Sequence, residues 1–261
     1  MPKYPPHITD LKRVNMVAEL LEKECVKLLP SLSLSEWKKV SSDIRSWFEG
    51  EKSDLAPVHD FWNLADGIMV GSKLKQLVRY FSAENISWSR IDVPVQDIDI
   101  VWPVGEFVGL ELPYTQTTIK EYLAANPGVL EKNIDMSNTF EEKYKPREHY
   151  PVILVGKHSG RFDIGDGNRR VLRCMLQNKP KIPAWAGNYI SGDEPINYWV
   201  STGELRKLLY LAERANKDNK PEVIQSIREV LKEMFEISEI AKINWDLRCK
   251  DQSDFSRQLM S

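Results

Sequence analysis

The chain has little cysteine: three residues in 261, at positions 25, 174 and 249. An odd, widely spaced set makes neither a disulfide framework nor a metal-ligand quartet, so no metal site is expected from them. Each reads most simply as a small buried hydrophobe. No apolar run approaches a membrane span, and no secretory or transit pattern stands out. The expectation is a reduced, cytoplasmic protein with no membrane partner. An excess of one charge is missing too. Lys and Arg number 36 against 38 Asp and Glu, a formal net charge of −2, which leaves no global electrostatic case for nucleic acid or an anionic bilayer. Internal repeats and low-complexity tracts are not found.

What is present suits a globular chain. Hydrophobic residues make up 42% and charged residues 28%, and the length allows one large domain or two smaller ones. The pattern predicts an α+β protein in three regions: an α-helical N-terminal region over 1–85, a mixed region over 86–192 and a C-terminal helical region over 193–261. Residues 1–9, with Pro2, Pro5 and Pro6, read as an extended or frayed leader. Apolar spacing predicts helices over 10–29, from Ser33 or Ser35 to Phe48, and over 73–81, with Gly67 and Gly71 framing a turn before the last. Trp37, Trp47 and Trp62 are expected in a core. No recognition helix stands out among the basic residues of this region.

From Ile86 the pattern turns to alternation through Ile91, Val93, Val95, Ile98 and Ile100, broken by Pro94. A loop carrying Glu106 and Glu111 follows. Thr115–Ala125 reads as a helix with a threonine cap, stopped by Asn126-Pro127-Gly128. About twenty polar residues, 130–149, then intervene, as a lid over a ligand or a plain surface loop; long loops are functional more often than short ones. After 192, helices are expected over 202–216 and from Pro221 onward, with a tail from Ser238 that holds Trp245.

Residues 150–187 carry the chemistry. Two short strands, 151–155 and 161–164, flank a polar turn at Lys157-His158-Ser159-Gly160. Gly165-Asp166-Gly167-Asn168-Arg169-Arg170 follows, then a helical run over 171–176 and a strand over 182–186. Gly165 and Gly167 let the backbone turn sharply beside a ligand. Asp166 or Asn168 can cap the helix, whose free N–H groups favour an anion. Arg169, Arg170 and Arg173 add guanidinium forks that match phosphate oxygens. Between 158 and 187, six basic residues face two acidic ones. The chemistry is that of a phosphate cradle, with an ordinary turn and helix cap as the plain alternative. A calcium loop built from Asp163, Asp166 and Asn168 fails on spacing.

The run DGNRRVLRCMLQNKPKIPAWAG, preceded by the strand PVILV, resembles the ParB/sulfiredoxin-like fold. Its box between strand and helix is Asp166-Gly167-Asn168-Arg169-Arg170, and Val93-Pro94-Val95-x-x-Ile98 is similar to the opening strand. The resemblance spans about 91–190 and is specific over 150–187. It implies that the box holds nucleotide phosphates. Asn168 stands where sulfiredoxin chemistry needs a thiolate, and no Glu-Asn pair follows as in partition proteins. By resemblance to free-serine kinases of this fold, Asp166 would orient or deprotonate an acceptor hydroxyl and Arg170 would hold the transferred phosphate. Asn168 and Arg169 replace the paired histidines of those kinases.

Three function classes follow. The first is a phosphotransferase or NTPase. It would bind a nucleoside tri- or diphosphate with Mg²⁺ through Gly165, Gly167, Asn168, Arg169, Arg170 and Arg173, take a small-molecule acceptor, and use Asp166 and Glu106 as catalytic carboxylates. The second is a ParB-like DNA-associated regulator or nuclease, which the bulk charge does not favour. The third is a non-catalytic protein in which the box is structural. His149 and His158 border the strands as hydrogen-bonding or surface histidines.

Overall fold

The computed structural model describes residues 4–28, 56–71, 75–100, 117–118, 150–157 and 159–260, with isolated positions between them. The protein is α+β, with a small mixed four-stranded sheet inserted between helical segments. Two compact units result. One comprises 1–85 together with 194–261, and the other comprises 86–193. The region boundaries expected near 85 and 192 therefore lie beside the changes of unit, while the two helical ends build one body.

In the first unit, α1 (Leu11–Leu28), α2 (Ala56–Gly71) and α3 (Lys75–Ser82) come from the N-terminal part. The C-terminal part supplies α5 (Thr202–Lys217), α6 (Pro221–Ile237), α7 (Glu239–Arg248) and α8 (Asp254–Leu259). Serine side chains start three of these helices. Ser201 accepts from the Glu204 N–H and Ser238 from the Ala241 N–H, while Ser253 and Ser256 form a reciprocal capping box. The turn from α5 to α6 closes by a bond from the Lys220 N–H to the Ala215 carbonyl, with Asn219 in the left-handed region at φ 52°. Pro221 then opens α6 at no cost in hydrogen bonding. Leu205, Leu209, Ile227, Leu231, Trp245 and Leu259 meet in a shared core.

Several expectations change here. From Tyr4 on the leader is packed: Tyr4 and Ile8 are buried, and Pro6–Thr9 forms a 3-10 turn. The Trp62 indole donates to the Ile8 carbonyl at 3.0 Å, which ties that turn to α2. Gly67 does not frame a turn but lies inside α2. The tail after Ser238 is two helices, and Trp245 within it is almost fully buried. Trp62 is in the core as expected; the described positions 35, 36, 38, 39, 42, 43 and 46 are helical, within the helix expected from Ser33 or Ser35 to Phe48, while Trp37 and Trp47 lie outside the described residues.

The second unit is built on β1 (Ile86–Pro94), β4 (Val152–Gly156), β5 (Phe162–Asp166) and β6 (Lys181–Tyr189), in the order β1-β6-β4-β5. Only the β4–β6 pair is parallel. Its crossover contains α4 (Asn168–Leu176). Val171, Cys174 and Met175 of α4 pack on Val152 and Leu154 of β4 and on Ile182, Ala184 and Ala186 of β6. A two-residue pair, β2 (Asp99–Ile100) with β3 (Thr117–Thr118), forms a second small sheet. β3 corrects the start of the helix expected over 115–125: Thr117 and Thr118 are β-branched and pair with β2, while Ala124 and Ala125 are helical as expected. The 130–149 loop lies outside the described residues. No described helix is long and apolar enough to cross a membrane.

The two chain crossings between units leave side by side, since Ile86 pairs with Tyr189 at the end of the β1–β6 ladder. Within the first unit their continuations are pinned together. The Asn85 amide donates to the Glu194 carbonyl at 2.8 Å and accepts from the Ile196 N–H at 3.0 Å. The Glu84 N–H donates to the Ile196 carbonyl, and Arg79 pairs with Glu194 while lying over the Tyr198 ring.

Candidate functional site

β5 ends at Asp166 and α4 begins at Asn168, so Gly167 alone joins strand to helix. Its φ is +107°, and a Cβ there would sit 2.5 Å from Val152 Cγ1 and 3.0 Å from Arg170 Nη2. No side chain fits. The Gly167 carbonyl accepts from the Val171 N–H at 3.0 Å, the first bond of α4. Gly165 has a different job. Ile153 pairs with Asp166 and Leu154 with Ile164, which leaves Gly165 as the extra residue of a bulge. The bulge shifts the alternation and puts Asp166 on the Ile153 side of the sheet.

Arg170 locks this turn. Its Nη2 donates to Asp166 Oδ2 at 2.7 Å, and Nη1 donates to the carbonyls of Pro151, at 2.8 Å, and Tyr150. Both side chains of the ion pair are less than one-fifth exposed. The fork expected to hold a transferred phosphate is thus joined to Asp166 and to the backbone entering β4. Asp166, expected as a catalytic carboxylate, is the partner that holds it. Asn168, the first helical residue, has a buried Oδ1 with no hydrogen-bond partner among the described residues. Arg169 and Arg173 lie on α4, with side chains outside the described residues, as is Glu106. Among the described residues no group of three or more His, Cys, Asp or Glu is placed to hold a metal ion.

A second charged cluster lies at the other end of the β4–β5 hairpin. The turn closes by bonds from the Lys157 N–H to the Arg161 carbonyl and from the Gly160 N–H to the Lys157 carbonyl. Asp99 of β2, almost fully buried, comes within 2.8 Å of Lys157 Nζ and 2.6 Å of Arg161 Nη2. Lys157 also reaches Asp163 at 2.7 Å. Burial works against the lysine's charge, but the hydrogen bonds with Asp163 and Asp99 outweigh it and raise its pKa above the ordinary value. Two cations and two anions close on themselves, so Arg161, one of the six basic residues counted along 158–187, is neutralised locally. Sequence reading passed over Asp99. Its one signal is an acid between two isoleucines in an alternating stretch.

Cys25 and Cys249 match the expectation of buried packing, with burial pushing each thiol up to about 11, while Cys174 is half-buried. No family model, no curated protein and no solved structure matches this chain.

Proposed function

We propose that the chain binds the phosphates of a nucleotide at the turn between β5 and α4, in the manner that the ParB/sulfiredoxin-like resemblance implies. Phosphoryl transfer or NTP hydrolysis with Mg²⁺ is the activity in view. The supporting observation is Gly167: a positive-φ residue with no room for a side chain, set directly before a helix start and held by the Asp166–Arg170 pair. Such a turn brings backbone N–H groups and the positive end of the helix dipole to one place. The roles are redistributed from the sequence reading. Asp166 and Arg170 shape the turn, while the α4 N–H groups, Asn168, Arg169 and Arg173 meet the anion.

A thermal-shift titration with ATP, ADP, CTP and GTP, with and without Mg²⁺, tests this. A ligand of the native state raises the melting temperature in a concentration-dependent way. The expected result is a shift for at least one nucleotide that disappears in Arg169→Ala/Arg173→Ala, whose unliganded melting point stays close to wild type. Arg170→Ala should instead melt earlier without any ligand. Uniformly flat titrations at millimolar nucleotide would overturn the proposal. They would favour the second reading, in which the box is a structural clasp; the engagement of Arg170 by Asp166 and two carbonyls supports that alternative.

A further inference from the structure

Helices α5 and α6 carry apolar residues on their outer surfaces that the core does not use. Val223, Val230 and Ile237 recur every seven residues along α6, and Leu211 and Tyr210 project from α5. All five are between 38 and 61% exposed. A seven-residue recurrence forms a nearly straight ridge, the arrangement by which one helix seats against another.

The contacts of α8 show which edge of the α5–α6 hairpin carries the ridge. Ser253, the cap of α8, donates to Glu213 of α5, and Arg228 of α6 donates to the Leu259 carbonyl at the far end of α8. α8 therefore covers the edge bearing Glu213 and Arg228. Leu211 is two residues from Glu213, and Val230 is two residues from Arg228. Two residues of helix amount to rather more than half a turn, so both point to the opposite edge. There they border one outer groove between the helices.

Charge divides the two sides of this groove. On α5 the exposed Lys207 and Arg214 stand one turn to either side of Leu211 and make that side cationic, while Arg206 and Lys217 share the edge of Glu213. On α6 the exposed Glu222, Glu229, Glu233 and Glu236 make an anionic face, with Glu233 one turn from both Val230 and Ile237. A surface half cationic and half anionic about an apolar line complements itself after a two-fold rotation. We propose that its occupant is a second copy of this chain, with α5 of each protomer on α6 of the other. Helices of 16 and 17 residues offer a face about 25 Å long and 20 Å wide. Two such faces bury roughly 1,000 Å², the lower end for a specific pair. The dimer is accordingly one that forms in the micromolar range and weakens as salt screens its charges.

Sedimentation equilibrium of the full chain, from micromolar to submillimolar concentration, provides the test. The wild type should self-associate as a dimer, less tightly at high salt. Val230→Glu alters an exposed position, so the fold is retained while the dimer constant weakens by about tenfold or more. Charge exchange supplies the specific readout. Glu229→Lys/Glu233→Lys should be monomeric, and so should Lys207→Glu/Arg214→Glu, because each places like charges across both contacts. Mixed, the two should form a heterodimer. A wild type that stays monomeric throughout overturns the proposal. So does a dimer that persists in Val230→Glu and in both charge variants, or two charge variants that fail to associate when mixed.

Discussion

At the scale of single residues, the least expected feature is a buried line of hydrogen bonds with one direction. Asn244 donates to the Val200 carbonyl, which turns its Oδ1 toward the Tyr4 hydroxyl. Tyr4 donates there and so accepts from His59 Nδ1, leaving His59 Nε2 to accept from Thr202. Asn63 completes the line by accepting from the Thr202 N–H at 3.3 Å. A second proton on His59 would sit on Nε2 and meet the Thr202 hydroxyl that donates to it, so that hydroxyl would have to turn away. Burial, helped by Arg248, lowers the His59 pKa from 6.5 to about 4. The unfolded chain takes up the proton near 6.5 and the folded one only near 4, so the unfolded state holds more protons between those values. The contribution of His59 is present above pH 6.5 and is lost as pH falls toward 4, by about 3 kcal/mol in all. Urea unfolding at a series of pH values should therefore show a steeper fall for wild type than for His59→Gln across that window. Equal slopes would show that His59 does not titrate there.

At the scale of elements, the β4–β5 hairpin and the turn into α4 set the sharpest demands. Gly167→Ala meets both a disfavoured φ and the Val152 methyl, and should lower stability by about 2 kcal/mol or more; near-wild-type urea unfolding would refute the tight turn. Asp99→Asn removes the charge shared by Lys157 and Arg161. Both cations are partly solvated, so the expected loss is about 1–3 kcal/mol, read from the same unfolding curves. The two features differed in how well they could be read. Strands around Lys157-His158-Ser159-Gly160, a glycine turn and a helix are local, and neighbouring residues reveal them. Asp99 belongs to the hairpin through a contact 58 residues away, and Thr117–Thr118 becomes a strand only because β2 is there to pair with it. Tyr4 looked like part of a proline-rich leader because its partners, His59 and Asn244, are distant in sequence. The partners of Arg170 were hidden for another reason. Its fork suits a carboxylate and carbonyls as well as it suits a phosphate, and the residue type does not say which is present.

For the whole molecule, the consequential feature is the pairing of Ile86 with Tyr189 at the place where the chain leaves one unit and returns to it. A folded 86–193 holds its two ends together, so the host helices experience it as a connection of a few residues. Unfolded, the same segment becomes a loop of about a hundred residues, whose closure costs about 2–3 kcal/mol more. The inserted unit thus acts on its host as a non-covalent crosslink that exists only while that unit is folded. Leu154→Ala, which hollows the core of the insert, should raise hydrogen exchange in α5 and α6 as well as in the sheet, without altering a single contact among those helices. Exchange confined to the sheet would show that the host closes unaided. Synthesis meets the same constraint in time. α1 to α3 emerge first and must wait while the insert and then α5 to α8 are made, roughly ten seconds or more at ordinary elongation rates. During that interval Trp62 lacks the Trp199 ring that stacks on it, so the nascent chain is most in need of chaperone protection before its last quarter is made.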